Sequence, residues 1–236
     1  MKRKEIFIIT ILAVMLTWII FLPANSFGGN FEIICPQDAD GVPLKLNLKN
    51  GELSSLGSVE EAIARLACLD AKTLVINEID YDQPSTDTAE FIELKNVSGM
   101  PINLDLFSIV LVNGANQTTY NTIDLPDVFL DPGEYYVICG DSANVSNCDL
   151  DVTPDTNLIQ NGAPDSVALM KIGFLVDSVS YEGDTGYTEV SGVGLEDVYN
   201  LNDASISRCP DGIDTNYNNV DFSQQTSTPG TENDCY

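Results

Sequence analysis

The side chains of this chain that could do chemistry are carboxylates and cysteines, because it contains no histidine. Without an imidazole no Ser-His-Asp or Cys-His arrangement can form, and the commonest general base and metal ligand is missing. No GxSxG elbow, P-loop or GxGxxG motif follows a strand-like run. Hydrolysis by carboxylates alone needs two acids held across a cleft at a set separation. Glu90 and Glu93 flank Phe91-Ile92. Three residues apart on a strand, they point to opposite faces. The expectation is that Phe91 packs inward while each glutamate binds local backbone or cationic groups, with no acid/base pair between them.

The run richest in oxygen ligands is Asp211-Gly212-Ile213-Asp214-Thr215-Asn216-Tyr217-Asn218-Asn219-Val220-Asp221. Calcium takes about six to eight such ligands from flexible loops. Asp214-x-Asn216-x-Asn218 matches the opening of an EF-hand loop. However, Asn219 stands at the glycine position and Gln225 at the closing glutamate, so the segment is not an EF-hand. It reads either as a structural loop or as a calcium site built from Asp211, Asp214, Asn216, Asn218 and Asp221. No other cofactor is implied. Asp38-x-Asp40-Gly41 reads as a turn. The sequons at Asn96, Asn116 and Asn144 are acceptors only in a glycosylating host.

The six cysteines are Cys35, Cys68, Cys139, Cys148, Cys209 and Cys235. No CxxC pair occurs and the spacings fit no zinc pattern. An even number behind an export signal reads as a disulfide framework. Chain order suggests Cys35–Cys68, Cys139–Cys148 and Cys209–Cys235 among the pairings that six cysteines allow. The export signal is residues 1–26, with a basic Met1-Lys2-Arg3-Lys4, an apolar run from Ile6 to Leu22, and small residues Ala24 and Ser26 before Phe27. The alternative is an uncleaved membrane anchor over residues 6–22, with its basic flank inside and the rest of the chain outside. The formal charge is −26, from 10 cations and 36 carboxylates. Loss of residues 1–26 removes Lys2, Arg3, Lys4 and Glu5 and makes it −28. Such a chain repels phosphate backbones and anionic lipid surfaces, and suits cations or partners with basic patches.

Two further regions follow the leader. Residues 27–72 read as a small cap. Its Leu44, Leu46 and Leu48 alternate with polar residues as in a half-buried strand. Ser58 and Glu61 make a capping box for a helix with Val59, Ala62, Ile63 and Leu66 on one face. Residues 73–236 read as an all-β domain. Leu74–Ile79, Ala89–Lys95, Phe107–Asn113, Tyr135–Cys139, Ser166–Met170 and Phe174–Tyr181 are short β-rich runs between turn signals, the pattern of a sandwich. The stretch Tyr187–Tyr236 is polar, anchored by Leu195, Val198, Ile206 and Phe222. It reads as a segment that wraps the sandwich.

Five blocks run in order through this domain: Val75-Ile76-Asn77-Glu78-Ile79, Glu90-Phe91-Ile92-Glu93-Leu94, Leu130-Asp131-Pro132-Gly133-Glu134-Tyr135-Tyr136-Val137, Val176-Asp177-Ser178-Val179-Ser180-Tyr181 and Thr228-Pro229-Gly230-Thr231-Glu232-Asn233. Together they resemble the lamin tail domain family, in its stand-alone exported form, which is typical of prokaryotes. The resemblance implies an immunoglobulin-like β-sandwich with no activity of its own. Where the family usually has tryptophan, this chain has Leu106-Phe107, so Phe107 is the expected core aromatic. No heptad run precedes the domain, so filament assembly is not implied. The functional expectation is an exported, non-enzymatic binding or structural module. Its ligand would be a protein, a glycan or an envelope component, contacted by loops such as Pro84–Thr88, Asn113–Tyr120 and Cys139–Cys148. Two rivals are a calcium-dependent adhesion module and a carboxylate-based hydrolase.

Overall fold

The computed structural model of the protein describes residues 73–197 and 204–235, and ahead of them the backbone of two short strands. Those two, β1 (Ile6–Ile9) and β2 (Ile20–Pro23), pair antiparallel. The chain divides into two compact units, Met1–Ala71 and Lys72–Tyr236. The expected cap strand, the helix from Ser58, the Cys35–Cys68 bridge and Val198 lie outside the described residues. Among the described residues, no helix is long and apolar enough to cross a membrane.

The second unit is an immunoglobulin-like sandwich. Its strands are β3 (Leu74–Asp80), β4 (Phe91–Asn96), β5 (Ile102–Asn103), β6 (Phe107–Asn113), β7 (Thr118–Asp124), β8 (Phe129–Leu130), β9 (Tyr135–Cys139), β10 (Leu150–Asp151), β11 (Asp165–Lys171), β12 (Phe174–Tyr181), β13 (Ala204–Arg208) and β14 (Phe222–Thr226). One sheet has the order β10-β9-β4-β3-β13-β14 and the other β12-β11-β6-β7. Alternation decides what lies between them. Ile92 and Leu94 of β4, Tyr136 and Ile138 of β9, Ile109 and Leu111 of β6 and Val167 and Leu169 of β11 belong to one buried core. Phe107 joins it, 2% exposed, as the expected core aromatic.

β3 would break this alternation without a defect. Leu74 and Ile76 face the core, and so do Ile79 and Tyr81, which have the opposite parity. A bulge between Ile76 and Glu78 absorbs one residue and restores the phase. It also sets Asn77 and Glu78 side by side on the outer face of the six-stranded sheet. All seven residues of β3 are buried, because that outer face is covered too.

The cover is the C-terminal segment after β14, a strap tied back by the Cys209–Cys235 disulfide, whose Cα atoms are 5.5 Å apart. Cys139–Cys148 closes a second loop over the same face, with Cα atoms 5.9 Å apart. Three expectations need correction. Phe91 does not enter the main core; it packs with Val137, Cys139 and Val145 on the outer face, beneath the Cys139–Cys148 loop. The polar C-terminal stretch does more than wrap, since it also supplies β13 and β14. The Asn113–Tyr120 loop is a hairpin whose second strand already begins at Thr118.

Gly230 sits where the strap meets the disulfide loop. Its φ is +79°, and a Cβ there would lie 2.6 Å from the Asn147 Cβ. Gly230→Ala is expected to lower stability by about 1–2 kcal/mol. An unchanged urea midpoint would show that the strap can shift to make room.

Candidate functional site

The bulge builds a polar network on the outer face. Asn77 Nδ2 donates to Glu93 Oε1 and to Asp211 Oδ1, both at 2.8 Å, and its own carbonyl oxygen accepts from the Gly212 amide at 2.9 Å. Glu78 accepts the Thr228 amide at 2.8 Å and the Thr228 hydroxyl at 2.9 Å. Glu93 accepts the Gly230 amide at 2.7 Å. Asn233 Nδ2 donates to the carbonyls of Asn77 and Arg208 at 3.2 and 2.9 Å. The strap is therefore wired to β3 and β4 by the residues that carry the family resemblance at the sequence level. Asp211 is engaged here by Lys95 and accepts the Tyr135 hydroxyl at 2.8 Å. Burial pushes its carboxyl up, but hydrogen bonds from Lys95, Asn77 and Tyr135 outweigh this and hold it below the usual carboxylate range.

A second centre lies between the sheets. Arg208 ends β13 with no exposed surface. Its Nη2 meets both oxygens of Asp177, on β12, at 3.1 and 3.0 Å, and its Nη1 meets Asp221 at 3.1 Å and Asp214 at 3.3 Å. Its Nε donates to the Ile76 carbonyl at 2.7 Å, while the Ile76 amide donates to Asp177 at 2.8 Å. The two charged side chains thus take the place of a strand partner beside the bulge and tie one sheet to the other. Asp221 also accepts the amide and hydroxyl of Thr215 at 2.7 and 2.6 Å.

The five oxygen-rich residues singled out from the sequence are thereby distributed. Asp211 belongs to the outer-face network and Asp221 to Arg208. Asn216 is exposed, at φ +60°. Asp214 lies in a carboxylate cluster with Asp177 and Glu189, and Asn218 opens a short helix, Asn218–Asp221, four residues further on. Asp177 stands in one of the sequence blocks, but nothing in the sequence pairs it with Arg208. Glu189 lies on a loop of no regular pattern.

The third polar region is the end of the sandwich that carries the loops after β3, β6 and β10. Asp80 is 3% exposed and Asp197 1%. The amides of Tyr81 and Asp82 donate to Asp197 at 3.1 and 3.4 Å. Burial, with Asp197 beside it, pushes the Asp80 carboxyl up to about 9. Tyr81 and Tyr181 stack at 4.1 Å between ring centroids under this end. Glu90 accepts the Leu158 and Ile159 amides at 2.5 and 3.0 Å. Burial raises it to about 8 all the same. Glu93 is likewise raised to about 8, by burial, with Glu78 beside it. Glu90 and Glu93 stand on opposite faces and each binds backbone amides, as their spacing predicted, so they form no acid/base pair. Asn96 is wholly buried and donates to the Met100 and Leu130 carbonyls, both at 2.8 Å, which removes it as a glycan acceptor in the folded domain. Asn116 and Asn144 are exposed.

Three cations, Lys95, Lys171 and Arg208, occur among the described residues, and none is exposed. All three point into the fold: Lys95 to Asp211, Lys171 over the Phe107 ring at 5.3 Å, and Arg208 among its carboxylates. The described surface is therefore without positive charge.

Comparison with known proteins agrees with this architecture. A family model described as Lamin Tail Domain matches residues 70–183, the stretch from β3 to just past β12. No curated protein matches the chain. The family is a non-enzymatic, immunoglobulin-like structural and binding module, and β13, β14 and the strap complete the same sandwich beyond the matched stretch. Over residues 70–183 this chain thus matches the lamin tail domain family.

Proposed function

We propose that this protein is an exported binding module of the cell surface or the medium, without enzymatic activity, which presents an anionic loop end to a protein, glycan or envelope component carrying positive charge. The observation that carries the reading is the distribution of charge. Every described cation is consumed inside the fold, so among the described residues nothing on the outside offsets the carboxylates. A partner with a basic patch is drawn to such a surface over several ångströms, whereas nucleic acid and anionic lipid are repelled.

The topology supports the loop end as the contact. The loops after β3, β6 and β10 emerge at one end and are cross-braced. The Asn157 amide donates to the Asp87 carbonyl at 3.1 Å, Asn161 Nδ2 reaches Asp82 and Asp87 at 2.9 Å, and Asn113 Nδ2 reaches Gln160 at 2.7 Å. Loops braced in this way lose little freedom on binding. The two disulfides over the outer face are compatible with an oxidising compartment.

The test uses the oxidised chain immobilised through its N-terminus and titrated with a decalysine peptide and with a neutral glycan panel. The same protein is incubated with peptide, glycoside and phosphoester substrates. Retention of the peptide at low ionic strength, a drop on the order of tenfold by about 0.3 M salt, and further weakening by Asp155→Lys at the loop end are expected. Clear turnover of any substrate by pure protein would sink the non-enzymatic reading. Salt-independent retention would sink the charge argument.

A further inference from the structure

We propose that the carboxylates of Asp214 and Glu189 and the amide oxygen of Asn218 hold a calcium ion, with Asp177 supplying charge beside them. Carboxylate oxygens of Asp177, Glu189 and Asp214 all lie within 4.8 Å of one another. The independent observation is Asn218. It is 1% exposed, its Nδ2 donates to the Ser178 carbonyl at 2.5 Å, and its Oδ1 is buried without a hydrogen-bond partner. Asn218 follows Asp214 by four residues and opens the short helix Asn218–Asp221, and its anchor is the neighbour of Asp177. Its amide is thus fixed between the two segments that supply the acids. A buried amide oxygen with no donor costs stability unless something else satisfies it.

Asp177 and Asp214 also meet the Arg208 guanidinium, which fixes their carboxylates beside Glu189. The ligand chemistry selects a hard ion, because all the donors are oxygens. They come from a strand, two loops and the start of a short helix, an irregular set that suits calcium better than the octahedral demands of magnesium. Asp177 already accepts amides of Ile76 and Ser178 and the guanidinium. Its part is therefore mainly electrostatic, and water completes the shell. This inference does not depend on the loop-end reading above, since the cluster lies between the sheets.

The full oxidised chain, stripped with chelator, would be titrated with calcium and with magnesium by calorimetry and melted with and without each. One calcium per chain, a melting temperature raised by roughly 5–10 °C at saturating calcium, and a smaller response to magnesium are expected. Glu189 is half-buried on a loop, and Glu189→Gln keeps its size and shape, so the variant should fold as the parent does. It is expected to melt unchanged in chelator and to bind calcium at least about tenfold more weakly. Asn218→Ser should weaken binding in the same direction. Asp211→Asn, outside the cluster, should leave calcium affinity as it is. The absence of both heat and thermal shift in the parent would overturn the site, and so would parental affinity in both Glu189→Gln and Asn218→Ser.

Discussion

Replacing Arg208 by methionine is expected to destabilise the sandwich by about 3–5 kcal/mol, the range for removing one partner of a buried charge cluster. The side chain has no exposed surface and meets Asp177, Asp214 and Asp221. Methionine fills a similar volume, so the loss would come from stranded carboxylates and from the Ile76 carbonyl, which loses its donor. Arg208→Lys keeps the charge but has no planar fork, and a single ammonium cannot reach Asp177, Asp221 and the Ile76 carbonyl together. It is expected to recover less than half of the loss. Urea denaturation at neutral pH in the presence of chelator would measure both. A loss below about 1 kcal/mol for Arg208→Met would mean that the cluster does not tie the sheets.

The second large effect is on pH. Asp80 is raised to about 9 and Glu90 and Glu93 to about 8, in each case first by burial, and Glu78 is raised by the same cause. In the unfolded chain these groups titrate near 4. The folded state thus binds their protons more tightly. The stability that follows is fully present below the unfolded values and is lost as pH rises through the folded ones, between about 5 and 9. Asp211, whose carboxyl is lowered, acts in the opposite sense, but only in acid below this window. The melting temperature in chelator is expected to fall on the order of 10 °C from pH 5.5 to pH 9. Glu93→Gln should flatten the upper part of that curve. A melting temperature that rises with pH across this range would contradict the burial argument.

The sequence disclosed the sandwich where apolar alternation exists. β6 and β11 follow the predicted runs because every second residue enters the core, and Phe107 takes the aromatic position the resemblance assigned to it. β7, β13 and β14 were not legible. Thr118–Asp124 is an edge strand with only Ile123 buried, and Ala204–Arg208 carries serines on a face that is covered by a polar strap and not by apolar side chains. Phe91 was assigned to the wrong face because nothing in its neighbourhood reveals that a disulfide loop makes a second, small apolar cluster. At the candidate sites, the oxygen-rich loop was visible from composition. Its division between Lys95, Arg208 and the carboxylate cluster was not, because those partners are distant in sequence and only the fold brings them together.

The strap has a consequence for the order in which the chain can mature. The amide that caps Glu78 belongs to a residue 150 positions later, and the one that Asn233 gives to the Asn77 carbonyl comes from 156 positions later. The first strand of the sandwich is therefore laid down long before its cover, and its outer face stays open until Thr228–Asn233 has emerged. During synthesis, a half-built sheet with buried acids and a stranded bulge has little to hold it closed. Closure waits for the C-terminal segment, which makes folding late and dependent on distant contacts.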